Sequence, residues 1–171
     1  FTLQGIKRTD QNFFDAFIMN HILGGAGFNS RLMKEIREKR GLTYSVSTSL
    51  TQYDNAELYL GMFQSSNEKV SIAIDILKQE LLNMAENGVS DEELLGAKKF
   101  LIGAYPLRFD GNVRIAKILA SMQFIGLRKD YIKSRNDKIR AVKSSDIALV
   151  AKKLLSFEDF TIVVVGKPEG L

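Results

Sequence analysis

The sequence predicts an α+β fold, with a mixed β-sheet and helices packed mainly on one face. Three observations carry this expectation. Strand-like alternation is confined to separated stretches at 1–7, 44–64 and 160–165. Between them, apolar residues recur at helical spacing, so the helices are grouped and the strands are not. With 171 residues, 45% of them hydrophobic, the chain suffices for a single domain with a real core.

Phe1 to Lys7 alternates loosely and reads as a strand. Asp10 is placed to cap a helix that buries Phe13, Phe14, Phe17, Ile18, His21 and Ile22. That helix breaks at Gly24-Gly25-Ala26-Gly27. A second helix runs from Asn29 or Ser30 to the basic end Arg37, Lys39, Arg40, and Gly41 supplies the left-handed stop. On it, Arg31/Glu35, Lys34/Glu38 and Glu35/Lys39 are opposite charges one turn apart, each contributing ~0.2–0.5 kcal/mol on an exposed face. Tyr44 to Tyr53 alternates cleanly, with Tyr44, Val46, Thr48 and Leu50 on one side. Asp54-Asn55 turns the chain into a second strand, Glu57 to Gln64, where Leu58, Leu60 and Met62 alternate, so a hairpin is expected.

Ser65 and Glu68 have capping-box spacing. They precede a long helix with Val70, Ala73, Ile74, Leu77, Leu81, Met84 and Ala85 on one face, ending near Asn87-Gly88. Ser90 and Glu93 form another box, opening a helix to about Tyr105 that Pro106 discourages from continuing. After the Asp110-Gly111-Asn112 turn, Ile115, Ile118, Leu119 and Met122 mark the apolar side of a helix that Gly126 ends. Tyr131 to Val142 reads as a charged, exposed helix. Ser144 or Ser145 caps the next, with Ile147, Val150, Ala151 and Leu154 inward. Phe160 to Val165 reads as a buried strand, stopped by Gly166-Lys167-Pro168, and its pairing with the first strand would close the sheet.

Bulk properties exclude several functions. The 24 basic and 20 acidic residues give a net charge of +4 without a long basic run. Nucleic-acid binding is therefore not expected, and rests only on the Lys/Arg-rich stretch from Arg128 to Lys143. There is no cysteine, hence no disulfide framework and no thiolate chemistry. No segment is long and apolar enough to span a bilayer. The chain starts at Phe1, inside a strand pattern and without a signal peptide, so it reads as an excised fragment whose leader would be lost.

Chemistry concentrates between Asn29 and Tyr44. Arg37 lies in the last turn of its helix and Tyr44 opens the strand, so a tight corner at Gly41 would bring a guanidinium fork and a phenol together. Those donors suit a carbonyl or carboxylate. From the residues alone a plainer reading stands ahead of this one, in which Arg37 only complements the helix dipole and Tyr44 only packs.

The run Leu23-Gly24-Gly25, Gly27-Phe28, Ser30-Arg31-Leu32, then Ile36 to Val46, resembles the pitrilysin, insulysin and mitochondrial-processing-peptidase family of zinc metallopeptidases, in the half that does not hold the metal. The resemblance implies a processing-peptidase-like domain, here 1–171, forming the C-terminal substrate-binding half of a chain or a separate partner subunit. It implies that Arg37 and Tyr44 bind substrate peptide, and that zinc and hydrolysis belong to the partner half. Gly25 and Gly27 are weaker candidates, because processing peptidases carry a longer glycine-rich loop at this place. Alone, the fragment is expected to hydrolyse nothing. Its expected partners are the zinc-bearing half and a peptide, with pairing to a second copy left open. A bacterial cytoplasm or periplasm and a mitochondrial matrix all remain open. The alternative is a structural core subunit of the same fold, as in respiratory cytochrome bc complexes.

No metal ligand or cofactor is expected in this chain. A catalytic zinc needs three protein ligands and an open position. The inverted His-x-x-Glu-His motif is absent, and His21, the one histidine, reads as a packed or half-exposed helix residue. Gly25-Ala26-Gly27 follows a helix, not a strand, and lacks a Lys-Ser/Thr continuation, so nucleotide binding is not expected. The hydroxyl row of Ser45, Ser47, Ser49 and Thr51 reads as a solvated face.

Overall fold

The computed structural model describes residues 1–171, the side chain of Asp159 excepted. Three strands, β1 (Thr2–Gln4), β2 (Val46–Gln52) and β3 (Glu57–Phe63), form one antiparallel sheet in the order β1-β3-β2. The β2–β3 hairpin runs in register from Val46 opposite Phe63 to Gln52 opposite Glu57. The Tyr53 amide closes it onto Ala56 O at 2.8 Å, at the expected Asp54-Asn55 turn.

The buried side of β3 is set by Tyr59 and Gly61, and Met62 is exposed. Gly61 makes room for the Phe1 ring, which an added Cβ would meet at 2.0 Å and force to shift. Tyr59 is fully buried because its hydroxyl donates to Thr48 Oγ1 at 3.0 Å, which satisfies the polar end of an otherwise apolar side chain.

The helices are α1 (Phe13–Asn20), α2 (Val70–Asn87), α3 (Asp91–Gly103), α4 (Asn112–Phe124), α5 (Tyr131–Ala141) and α6 (Ser144–Leu154). Helices α1, α2, α3, α5 and α6 share one core with the sheet, in which Leu3, Ile18, Leu32, Leu77, Leu81, Ile139 and Ile147 meet. The α4 helix contributes nothing to it, and of its expected apolar side, Ile115, Ile118, Leu119 and Met122, buries Met122 alone. The predicted face of α2 is buried at Val70, Ala73, Ile74, Leu77, Leu81 and Met84. The Ser90–Glu93 capping box forms, with Glu93 N donating to Ser90 Oγ at 3.2 Å and Ser90 N to Glu93 Oε2 at 2.9 Å.

Several local expectations are corrected. Asp10 does not cap α1 directly; its carboxylate accepts from Asn12 N, and Asn12 is the boundary residue. Ser65 makes no capping box, because its hydroxyl donates to Leu42 O at 2.6 Å and α2 begins only at Val70. Residues 162–165 form no strand. Only Thr161 pairs, with Thr2 at the start of β1, and Val163 and Val165 are exposed. The α5 helix is not exposed all round: Arg135 and Ile139 are buried.

Candidate functional site

The corner is built as its sequence dictates, with one difference in helix type. Gly27 takes φ +59°, opening a short 3-10 turn, Gly27–Asn29, that carries Phe28 outward. Ser30 is buried and caps the next helix. Its hydroxyl donates to Gly27 O at 2.8 Å and accepts from Met33 N, and its carbonyl accepts from Lys34 N. The segment then widens into a π-helix, Met33–Glu38. Gly41, at φ +60°, ends it, with Gly41 N donating to Arg37 O and Leu42 N to Ile36 O. The connection to β2 is fastened from below: Lys69 Nζ donates to Gly41 O at 3.2 Å, Ser65 Oγ to Leu42 O, and Thr43 Oγ1 to Ser45 O at 2.8 Å.

This geometry brings Arg37 and Tyr44 together. The Arg37 guanidinium carbon lies 5.4 Å from the centroid of the Tyr44 ring and 4.6 Å from that of Phe28. Arg37 is half-buried between them, while Tyr44 is 81% and Phe28 60% exposed. Each cation–ring contact contributes about 0.5–1 kcal/mol at such exposed positions. The cation meets the faces of the rings, and among the described residues its N–H groups have no carboxylate partner. Phe28 is the member of this group that the sequence reading passed over. Its signal was present, an aromatic directly after Gly27 at the foot of the arginine helix.

The other arginine of the segment is engaged. Arg31 holds Glu93 in a bidentate pair, both contacts at 2.7 Å, and donates to Gly88 O at 2.9 Å. The expected Arg31/Glu35 pair is thereby replaced and, among the described residues, Lys34 and Glu38 form no ion pair, whereas the expected Glu35/Lys39 pair forms and Arg40 joins it. Hydrogen bonds from Arg31, against the penalty of burial, hold the Glu93 carboxyl down to about 2. Beside this pair, a cleft of about 500 Å³ is lined by His21, Lys34, Glu92, Glu93 and Phe100 among others.

His21 stacks on Phe100 at 5.2 Å, and burial lowers its pKa. Among the described residues no group of three or more His, Cys, Asp and Glu side chains stands together as metal ligands would. The described residues do not fit a catalytic zinc. Gly25 is exposed, and a Cβ there would come 2.8 Å from Asn20 Nδ2; Gly27 faces open space. Both shape the loop bearing Phe28.

Residues 1–101 match the family described as the Peptidase M16 inactive domain. The chain belongs to this family. The M16 inactive domain here is 28% identical over 161 residues to the "Non-peptidase homolog YmxG" of Helicobacter pylori, covering 94% of this chain and 37% of that protein. It is 32% identical over 143 residues to the chloroplastic stromal processing peptidase of Pisum sativum, covering 81% of this chain and 11% of that one. The crystal structure of a peptidase M16 inactive domain from Pseudomonas fluorescens superposes with a TM-score of 0.82 at 28% identity, over 92% of this chain and 38% of that chain. The chain thus spans well under half the length of these relatives. The M16 inactive domain is part of a zinc-metallopeptidase family, and its α+β architecture is the one expected from its sequence.

Proposed function

We propose that this domain, 1–171, is the substrate-holding and chamber-closing half of a zinc metalloendopeptidase, and that Arg37 and Tyr44 position the bound peptide. The observation that carries this reading is the Arg37 guanidinium, braced between two exposed rings and, among the described residues, without a carboxylate partner. A planar fork held in that way is ready to donate to peptide carbonyls or a terminal carboxylate. Its contribution is orientation and charge stabilisation, not proton transfer. The hydrolytic metal belongs to a partner half, in the same chain or in a separate subunit. Relatives named as zinc proteases and processing peptidases support that assignment.

The test assembles the domain with its zinc-bearing half and follows peptide turnover. Arg37→Ala is expected to lower kcat/KM by about tenfold or more, the effect of losing a hydrogen bond to a charged donor. Tyr44→Phe keeps the ring contact and loses only the hydroxyl, so its effect is smaller. Unchanged turnover in both variants removes the role. A second reading, a non-catalytic core subunit, is favoured by the name of the Helicobacter relative, a non-peptidase homolog. Stable residence in a larger complex with no peptide turnover would select it.

A further inference from the structure

A second cleft, of about 380 Å³, opens between α1, α4, α5 and the 3-10 turn Pro106–Phe109. Five cations line it, Arg8, Arg108, Arg114, Lys117 and Arg135, and no carboxylate does. Arg135 is only 5% exposed. Its Nη1 donates to Leu101 O at 3.1 Å and Asn136 Oδ1 at 3.0 Å, and its guanidinium lies 4.1 Å from the Tyr105 ring centroid. Arg8 is packed similarly, 4.2 Å from the Phe13 ring centroid, with Nη2 donating to the Tyr131 hydroxyl. Among the described residues neither arginine has an acidic partner.

A buried guanidinium without a counter-charge is costly, and ring faces and carbonyl dipoles offset only part of that cost. Burial lowers the pKa of both arginines, and Arg108 adds to the effect. Both remain cations, as arginine does in proteins. The charge is therefore in place and its counter-charge is not.

We propose that this cleft binds an apolar carboxylate, either the carboxyl end of a peptide or a small organic acid. The carboxylate is held by Arg135 with Arg114 and Lys117, and its apolar body lies on Tyr105, Ile118 and Met122. Arginine forks match a carboxylate in shape as well as charge. The apolar wall excludes inorganic phosphate as the fitting ligand, since phosphate would leave that wall wet. The small volume suits one or two residues of chain and not a polyanion track. The α4 wall is also the loosely held side: Met122 is its single buried residue, while Val113 and Phe124 are exposed. An anion between α4 and α5 would tie the two together and relieve the repulsion among the cations. None of these residues belongs to the Arg37 corner, so this site stands or falls separately from the function proposed above.

The experiment is calorimetric titration of the full-length protein with N-acetyl-Phe-Leu, its C-terminal amide, octanoate and inorganic phosphate. The free acid is expected to bind saturably, with the amide weaker by about tenfold or more, as loss of a charge-assisted hydrogen bond implies, and with phosphate weaker by about tenfold or more because it leaves the apolar wall uncovered. Tighter binding of the dipeptide than of octanoate identifies a peptide end; the reverse identifies a small acid. The exposed double variant Arg114→Ala/Lys117→Ala should weaken the acid by about tenfold with an unchanged circular-dichroism spectrum, while Arg37→Ala leaves it unaltered. Hydrogen exchange over 112–124 should slow on binding. Equal affinity for acid and amide, equal affinity for phosphate, no binding, or an unaffected double variant would each overturn the proposal.

Discussion

Arg31 and Arg37 leave the same helical segment and end in opposite environments. Arg31 is closed off by Glu93, a partner 62 positions along the chain. Arg37 is braced only by rings. The second arrangement was legible because Gly41 fixes where the helix stops, although Tyr44, expected to open the strand, stands two residues before β2 begins at Val46. The first was not, since local charge spacing offered Glu35 and gave no sign of a residue on α3. Its consequence for stability is measurable. The folded Glu93 carboxyl sits at about 2, below the ordinary 4.5, so its contribution is present above about pH 4.5 and is lost as pH falls through 2. Glu93→Gln should therefore be less stable than wild type at pH 7 by about 1–2 kcal/mol, after allowance for solvent screening of a half-exposed pair. The gap between the two urea midpoints should close as pH falls towards 2. A gap constant over that range would mean that the ion pair does not produce it.

Elements meet through a few close approaches that patterns of polarity do not record. The π-helical turn His21–Gly25 rests on β2 at Gly24, where an added Cβ would lie 2.3 Å from Thr48 Oγ1. Thr48 cannot yield freely, because its hydroxyl donates to Asn20 Oδ1 at 2.8 Å and accepts from the buried Tyr59. Gly24→Ala is thus expected to destabilise the domain by about 1–3 kcal/mol, as overpacking does, and to lower the thermal midpoint. A Gly24→Ala protein that melts with wild type would show that the turn can move off the strand. The sequence marked this glycine as part of a helix break, yet the need for it comes from a neighbour on another element. The same limit explains other departures. The α2 face was legible because periodicity alone decides it. The 160–165 run was not, because its apolar residues read as strand whether or not they pair. Arg135 made α5 look solvated, because hydropathy cannot anticipate a guanidinium covered by Phe17 and Tyr105.

At the scale of the molecule, the packing of α1 on α6 gathers acids that lie far apart in sequence. Asp15 is half-buried there, with Asp146 and Asp10 nearby; burial first, and then these two charges, push its carboxyl up to about 6. Its sign is opposite to that of Glu93. A carboxyl whose folded value is raised favours the native state most below its unfolded value of 3.8, and that favour is lost as pH rises through 6. Between pH 4 and 6 the contribution of Asp15 to stability should therefore fall as the solution becomes less acidic, against the usual trend for carboxylates. Asp15→Asn removes the charge while keeping the size. It is expected to raise stability by about 1–2 kcal/mol at pH 8, allowing for screening, and to change little at pH 4. Thermal midpoints of the two proteins across that range provide the measurement. Parallel curves would mean that Asp15 stays ionised without penalty, and that the three acids do not act on one another across the α1–α6 contact.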